Sequence, residues 1–154
     1  AGEAETTHMW TEPTTGLQCK CRPDWITEDG GIVVDLKTTE DASPREFRRS
    51  IAKWRYHVQA GWYMAGIEAA YGKRPSGFIF IAVEKKPPFA VGVYAADEQM
   101  IERGYETAMR DLQTLAECKT SGRWPAYSDR IEPISLPAWM TGEAATQTTE
   151  IEMY

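Results

Sequence analysis

The sequence predicts an α/β fold whose central sheet carries a candidate active site. Two apolar segments have strand character: Ile32–Thr39, rich in β-branched residues, and the uninterrupted apolar run at 77–83. Between them, Ser43-Pro44-Arg45-Glu46 is typical of a helix start, with Ser as N-cap, Pro at the first helical position and Glu completing a capping box. A helix between two strands is the arrangement expected of an α/β protein.

The composition is that of one folded domain. The chain has 154 residues, 42% of them apolar, with six Trp and seven Tyr, which is enough for a sizeable core. We expect a domain at 1–140 followed by a polar, acidic tail at 141–154. Because the chain enters strand-like sequence soon after Ala1, we expect that upstream helices are missing. No apolar run is long enough to span a bilayer and no signal peptide opens the chain, so we predict a cytoplasmic protein without membrane contact.

The remaining elements follow from local patterns. Segments 4–10 and 17–26 are predicted strands, and a Gly-rich turn at 28–31 leads from the second of them into Ile32–Thr39. One helix is predicted from Ser43 to about Gly72, with an apolar stripe of Phe47, Ile51, Trp54, Val58 and Trp62. Another strand at 89–94 and a long helix, capped by Asp97 and stopped by Gly122, complete the pattern. Trp10, Trp25, Trp54 and Trp62 are assigned to the core, although Trp25 lies beside Asp24 and within reach of a nucleotide.

The strand Ile32–Thr39 carries two charges on an otherwise apolar ribbon. Successive side chains alternate between faces, so Asp35 and Lys37 share one face. Charges beside a core are costly unless they are paired or bind a metal. Asp24 ends the preceding strand, and antiparallel pairing across the turn would bring it near Asp35. The sequence alone leaves this register open.

These residue types suit metal-assisted hydrolysis of a phosphodiester. Asp24 and Asp35 offer hard oxygen ligands for Mg²⁺ or Mn²⁺, the backbone carbonyl of Leu36 is a further ligand, and Glu5 on the first strand is a candidate to complete the set. Lys37 is placed to orient or deprotonate the attacking water.

The helix that follows the charged strand has a polar face of interest. Arg55, Gln59 and Tyr63 are spaced four residues apart and therefore stack along one side. Either this face packs beside the carboxylates, or it is a half-exposed helix flank.

The charge distribution leaves DNA binding open. The formal net charge is −6, which by itself disfavours a nucleic-acid partner. Five cations nevertheless crowd into one short segment: Arg45, Arg48, Arg49, Lys53 and Arg55. They are either phosphate contacts or an ordinary solvated helix surface.

Three cysteines allow two interpretations. Cys19 and Cys21 point to the same face of one strand, while Cys118 is distant in the sequence. Free thiols are the simpler interpretation, and half of a zinc or iron–sulfur site is the alternative.

Three segments in this order resemble a known superfamily: Cys-Lys-Cys-Arg-Pro-Asp, Val-Asp-Leu-Lys-Thr-Thr and Tyr-His-Val-Gln-Ala-Gly-Trp-Tyr. The chain, from about Glu5 to Trp139, resembles the PD-(D/E)xK nucleases and, within them, the exonuclease VIII (RecE-type) phage recombination nucleases. Pro23-Asp24 and Asp35-Leu36-Lys37 match the two acidic motifs, and Gln59 and Tyr63 match the Gln-x-x-x-Tyr helix motif.

The resemblance implies a restriction-endonuclease-like core with a mixed sheet flanked by helices, preceded in the family by N-terminal helices. It also implies a Mg²⁺-dependent exonuclease acting on the ends of linear double-stranded DNA in a bacterium or phage-infected host. A homo-oligomeric ring and a single-strand annealing protein are the implied partners. Two alternatives remain: a non-catalytic DNA-binding relative, and an endonuclease of the same fold in restriction or repair.

Overall fold

The computed structural model describes residues 1–137 and residue 140. Within them, the elements in chain order are β1 (Gly2–Ala4), β2 (His8–Thr11), β3 (Gln18–Cys21), β4 (Trp25–Thr27), β5 (Ile32–Thr39), α1 (Pro44–Trp54), α2 (Tyr56–Tyr71), β6 (Gly77–Glu84), β7 (Val91–Ala95) and α3 (Glu98–Ser121).

The chain divides into two compact units, Ala1–Gly122 and Arg123–Tyr154. The first unit holds β1 to β7 and α1 to α3. In the second, the described residues 123–137 form neither a helix nor a strand. The acidic tail predicted at 141–154 lies outside the described residues, so its boundary at residue 140 stays a prediction.

The main sheet has five strands in the order β1-β4-β5-β6-β7. Strands β5 and β6 pair in parallel, from Ile32 opposite Gly77 to Thr39 opposite Glu84. The other neighbours in this sheet pair antiparallel. The parallel pair requires a crossover, which α1 and α2 provide. This confirms the predicted mixed sheet flanked by helices.

One face of the central strands forms the core. On β5 and β6, alternate residues are buried, among them Val33, Phe78 and Phe80, as the two-residue period of a strand requires. They pack in one cluster with Ala60 and Ile67 of α2. Asp35 belongs to this buried face, whereas its neighbour Leu36 is 53% exposed on the other.

The N-terminal strands differ from the prediction. The segment predicted as one strand at 4–10 is divided at Glu5, whose φ is 52°, into β1 and β2. The segment predicted at 17–26 is divided into β3, which pairs with β2 in a separate hairpin, and β4 of the main sheet. Pro23 lies at this division and is fully buried. Proline has no N–H for a strand ladder, so the chain changes sheets there.

The helix predicted from Ser43 to Gly72 is two helices. Arg55 has left-handed backbone angles (φ 58°, ψ 35°) and separates α1 from α2. The break shifts the phase of the apolar stripe. The predicted placement of Trp54 in the core is therefore wrong, and Trp54 is 61% exposed. Ser43 and Pro44 do begin α1, but the Ser43 side chain makes no capping hydrogen bond. The Glu46 carboxylate accepts a side-chain hydrogen bond from Arg49 at 2.8 Å instead of completing the predicted capping box.

Helices α2 and α3 approach each other through two glycines. A Cβ atom on Gly104 would lie 1.8 Å from the His57 carbonyl oxygen, and one on Gly61 would lie 2.2 Å from the Tyr105 backbone nitrogen. Neither position has room for a side chain. The close contact holds α2 between the sheet and α3, which fixes the helix face that reaches Asp35.

The later elements match the prediction closely. Asp97 caps α3 by accepting a hydrogen bond from the Met100 N–H at 2.7 Å, and Gly122 ends it with a φ of 68°. Cys19, Cys21 and Cys118 are free and buried, and burial raises the pKa of Cys21 to about 12. None of the helices in the described part of the chain is long and apolar enough to cross a membrane.

Candidate active site

The register between β4 and β5 brings the two aspartates together. Trp25 lies opposite Val34, so one further step along the antiparallel ladder places Asp24 opposite Asp35. Asp24 lies between the buried Pro23 and the first residue of β4. Its Oδ2 accepts a hydrogen bond of 2.6 Å from the Leu36 N–H. The register that the sequence left open is therefore the one the predicted site requires.

Asp35 is a buried carboxylate with two partners. Its Oδ1 accepts a hydrogen bond of 2.7 Å from Gln59 Nε2, and its Oδ2 forms an ion pair with Lys37 but receives no hydrogen bond of good geometry. Burial raises the pKa of Asp35, Lys37 opposes the shift, and the nearby charge of Asp24 adds to it. Asp35 is thus a buried hard-oxygen group whose charge is balanced by Lys37.

Lys37 lies against an aromatic ring that the sequence analysis missed. Its Nζ is 4.8 Å from the centroid of the Tyr56 ring, within the range of a cation–π contact. The Tyr56 ring in turn lies 6.3 Å from the rings of Phe47 and Phe80. Tyr56 stands three and seven residues before Gln59 and Tyr63 on α2. This helical spacing places it on the same face, and it is the signal by which the sequence could have identified Tyr56.

Tyr63 belongs to the site through Gln59. Burial raises the pKa of the Tyr63 hydroxyl, and hydrogen bonding to the Gln59 side chain and to the Arg22 backbone opposes that shift. Gln59 and Tyr63 are half-buried, and Gln59 brings this face of α2 beside Asp35. Arg55, the third residue of the predicted stripe, is exposed and pairs with Asp111 of α3 instead.

The oxygen groups at this point fit a hard divalent cation. In a strand, the N–H and C=O of one residue point to the same edge, so the Leu36 carbonyl points to the side where its N–H meets Asp24. Strand β4 begins at Trp25, opposite Val34, so the Leu36 carbonyl lies beyond the hydrogen-bond ladder between β4 and β5. Two carboxylates and a carbonyl make an all-oxygen set, as Mg²⁺ and Mn²⁺ prefer.

Glu5 does not join this oxygen set. Its backbone N–H donates to the Asp24 carbonyl at 3.1 Å, but its carboxylate pairs with Arg22 at 2.8 Å on the surface. Among the residues the structure describes, no group of three or more His, Cys, Asp or Glu side chains is placed to hold a metal. Asp24 and Asp35 are thus the two carboxylates that the structure brings together at this point.

The comparison with protein families agrees with this arrangement. The family described as a PDDEXK-like domain of unknown function (DUF3799) matches residues 1–137. The chain belongs to this family. No curated protein matches the chain. The match supports the PD-(D/E)xK superfamily, while the narrower RecE-type assignment stays a prediction.

One solved structure supports the fold of this PDDEXK-like domain. The crystal structure named "Putative exonuclease" from Eubacterium rectale superposes with a TM-score of 0.68 at 14% sequence identity, covering 98% of this chain and 58% of that one. The domain thus spans little more than half of that relative. The structure of SSO0001 has a TM-score of 0.45 at 19% identity, covering 71% of this chain and 50% of that one.

The basic segment of the PDDEXK-like domain is not one continuous surface. Arg45 and Arg49 both pair with Glu46, at 3.6 and 2.8 Å, and Arg55 pairs with Asp111 of α3. Three of the five cations thus contact two carboxylates, and all three side chains remain exposed.

The other two cations of the segment face different surroundings. Arg48 lines a groove between α1 and α3 that also contains Glu102 and Glu106. Lys53 lies over the ring of Trp54, with its Nζ 4.8 Å from the centroid. The five cations predicted as one DNA-binding face thus lie in separate environments.

A large cavity lies away from the aspartates. It has a volume of about 860 Å³ between the β2–β3 hairpin, α2 and α3, and its lining includes Trp10, Glu68, Glu102 and Glu106. Asp24, Asp35 and Lys37 do not line it. A carboxylate-rich cavity repels phosphate, so it is unsuited to a nucleic-acid backbone.

Proposed function

We propose that this PDDEXK-like domain hydrolyses phosphodiester bonds in DNA with Mg²⁺ or Mn²⁺ held by Asp24, Asp35 and the Leu36 carbonyl. One observation carries the proposal: the β4–β5 register joins Asp24 to Leu36 and so sets two carboxylates and a lysine at one point. Asp24, Asp35 and Lys37 meet there, and each has a role in metal-assisted hydrolysis.

The residues divide the work as follows. A bound divalent cation lowers the pKa of a water molecule and offsets the negative charge that builds up on the reacting phosphate. Lys37 lies between Asp35 and the Tyr56 ring, where it orients or deprotonates the attacking water. Gln59 donates to Asp35 Oδ1 and Lys37 pairs with Oδ2, so the two side chains orient the carboxylate that would hold the cation. Tyr63 lies one helical turn beyond Gln59 on α2.

The finer proposal concerns the substrate. The motif resemblance to RecE-type nucleases and the name of the Eubacterium rectale structure support an exodeoxyribonuclease that acts at the ends of linear double-stranded DNA. We extend the proposal to a cytoplasmic role in phage-type recombination, with a ring-shaped homo-oligomer and a single-strand annealing protein as partner.

Incubation with linear and with covalently closed circular duplex, with and without Mg²⁺, tests the proposal. We expect Mg²⁺-dependent loss of the linear DNA only, and no loss with Asp35→Ala or Lys37→Ala. Lys119→Ala, which removes an exposed lysine near the end of α3, is the matched control and should keep full activity.

The alternatives give different results in the same experiment. Cleavage of the circle would identify an endonuclease. DNA binding without cleavage of either form would identify a non-catalytic relative. Full activity in Asp35→Ala would overturn the assigned site.

A further inference from the structure

A groove of about 400 Å³ lies beside the carboxyl end of β5, against α1. Its lining includes the side chains used below: Thr38, Glu40, Arg49, Lys53, Trp54 and Tyr56. All of them belong to the first unit of the chain. This groove combines cations, hydroxyl groups and aromatic rings.

The groove reaches the proposed reaction centre through one side chain. Tyr56 lines the groove, and the same ring lies 4.8 Å from Lys37 Nζ. The groove and the Lys37 ammonium group are therefore linked through the Tyr56 ring. A molecule in the groove is placed to be a part of the substrate next to the bond that is cleaved.

Trp54 presents an open aromatic surface to this groove. The left-handed break at Arg55 turns Trp54 out of the core, and it is 61% exposed. Lys53 Nζ covers one face of the indole ring, and the exposure leaves the other face open. An aromatic ring with one free face beside a cation is the usual platform for stacking an unpaired base.

Lys53 is the cation of the groove that is ready to bind phosphate. Arg49 is held by Glu46 at 2.8 Å, and Lys85 by Glu40 at 3.2 Å. For Lys53, the described part of the chain supplies no carboxylate within ion-pair distance, and the Trp54 ring is its contact.

The carboxylates of the groove are engaged as well. Glu46 and Glu40 take part in the two ion pairs above, and Asp41 accepts a hydrogen bond of 2.7 Å from the Ser43 N–H. The acids thus do not compete for the Lys53 ammonium group.

We propose that this groove binds an unpaired nucleotide at the DNA end, with its base stacked on Trp54 and its phosphate paired with Lys53. The proposal rests on the nuclease function proposed above and adds a substrate preference to it. Bases inside a duplex already stack on both faces, so an open indole selects bases that have left the stack. We therefore expect preference for overhanging or frayed ends over blunt ends.

The test measures Kd by fluorescence anisotropy in EDTA, where no cleavage is expected. The probes are a blunt duplex and duplexes with a short thymidine overhang, on either strand, whose overhang is intact or abasic. We expect wild-type protein to bind one intact overhang more tightly than the blunt end. Trp54→Ala should weaken that binding roughly five- to hundredfold, the range for loss of one stacked base, whereas Trp54→Phe should keep most of it.

A double-mutant cycle ties the effect to stacking. If the base lies on Trp54, removing the base and removing the indole are not additive, and Trp54→Ala binds the intact and abasic overhangs equally. Tyr105→Ala is the matched control, because Tyr105 is an exposed aromatic residue of the same unit that lines the other cavity and not this groove. Additive effects, an equal loss in Tyr105→Ala, or no overhang preference in the wild type would overturn the proposal.

Failure of this proposal is distinguishable from failure of the nuclease function. Wild-type cleavage of linear DNA with unchanged binding by Trp54→Ala refutes the groove and leaves the nuclease standing. Base-dependent binding through Trp54 without any cleavage refutes the nuclease and leaves the groove as a nucleotide-binding site. Circular dichroism of each variant checks that the fold is kept.

Discussion

Asp24 Oδ2 accepts a hydrogen bond of 2.6 Å from the Leu36 N–H. A side chain thus extends the β4–β5 ladder by one step, just before the first residue of β4. The carboxylate satisfies a backbone donor that would otherwise lack a strand partner, and it is held at the edge where the Leu36 carbonyl emerges. Structure and proposed metal binding therefore depend on the same side chain, and substitution can separate the two roles.

Asp24→Asn should keep the fold and lose activity. The amide oxygen can still accept from the Leu36 N–H, so the free energy of unfolding should stay close to that of the wild type. Asp24→Ala removes the acceptor and should cost about 1 kcal/mol. Both variants should lose cleavage, because neither supplies the charged ligand. Urea denaturation and a nuclease assay on the same preparations check both expectations, and an active Asp24→Asn would contradict the metal role.

Mg²⁺ or Mn²⁺ should raise the melting temperature of the wild-type protein. A ligand that binds only the folded state stabilises it by about 2.7 kcal/mol at a hundred times its Kd, and EDTA should reverse the shift. Asp35→Asn should abolish it.

Glu5→Gln is the matched control for the metal shift. The Glu5 carboxylate pairs with Arg22 and lies outside the oxygen set, so this variant should keep the full metal effect. Differential scanning fluorimetry measures both variants, and loss of the shift in Glu5→Gln would return Glu5 to the ligand set.

Tyr56 should act as a positioning residue for Lys37. Tyr56→Phe retains the aromatic face and should be nearly as active as the wild type. Tyr56→Leu loses the cation–π contact, worth about 0.5–2 kcal/mol, so kcat should fall roughly two- to thirtyfold while KM changes little. Steady-state kinetics of the two variants decide the matter. Equal loss in both variants would show that the hydroxyl group matters more than the ring face.

Gly104→Ala should destabilise the protein through the α2–α3 contact. Its Cβ would lie 1.8 Å from the His57 carbonyl oxygen, so the helices must move apart, at a cost of about 1–3 kcal/mol or more. Gly77→Ala is the control, since its Cβ would meet Ile32 Cδ1 at an ordinary 3.5 Å. Chemical denaturation compares the two variants. Equal stabilities would contradict the close helix contact.

Glu12 should make stability depend on acid pH. Its carboxylate accepts hydrogen bonds from the N–H groups of Thr14 and Thr15 and from the Thr15 hydroxyl, and these lower its pKa from 4.5 to about 2. The stabilisation is fully present above pH 4.5 and is lost as the pH falls towards about 2. Glu12→Gln should therefore lose less stability than the wild type between about pH 6 and about pH 3. Parallel pH profiles of the two proteins would contradict this.

Elements with a local sequence pattern were predicted correctly, and the prediction failed at two breaks in the chain. The strand β5, the start of α1 at Ser43-Pro44, the cap at Asp97 and the stop at Gly122 all depend on a few neighbouring residues. The chain changes sheets at Pro23, which cannot join a strand ladder, and the helix is interrupted at the left-handed Arg55. The apolar spacing used for the prediction continues across both positions and so does not reveal the breaks.

By itself, the sequence determined that Asp35 and Lys37 share a face of β5 and that Gln59 and Tyr63 share a face of a helix, because the periods of strands and helices are properties of the local backbone. Only the tertiary structure decided that Asp24 reaches Leu36, that Tyr56 lies beside Lys37 and that Trp54 faces the groove. Those relationships depend on strand register and on the left-handed residue at Arg55. Both are set by packing between segments far apart in the chain, which residue spacing does not encode.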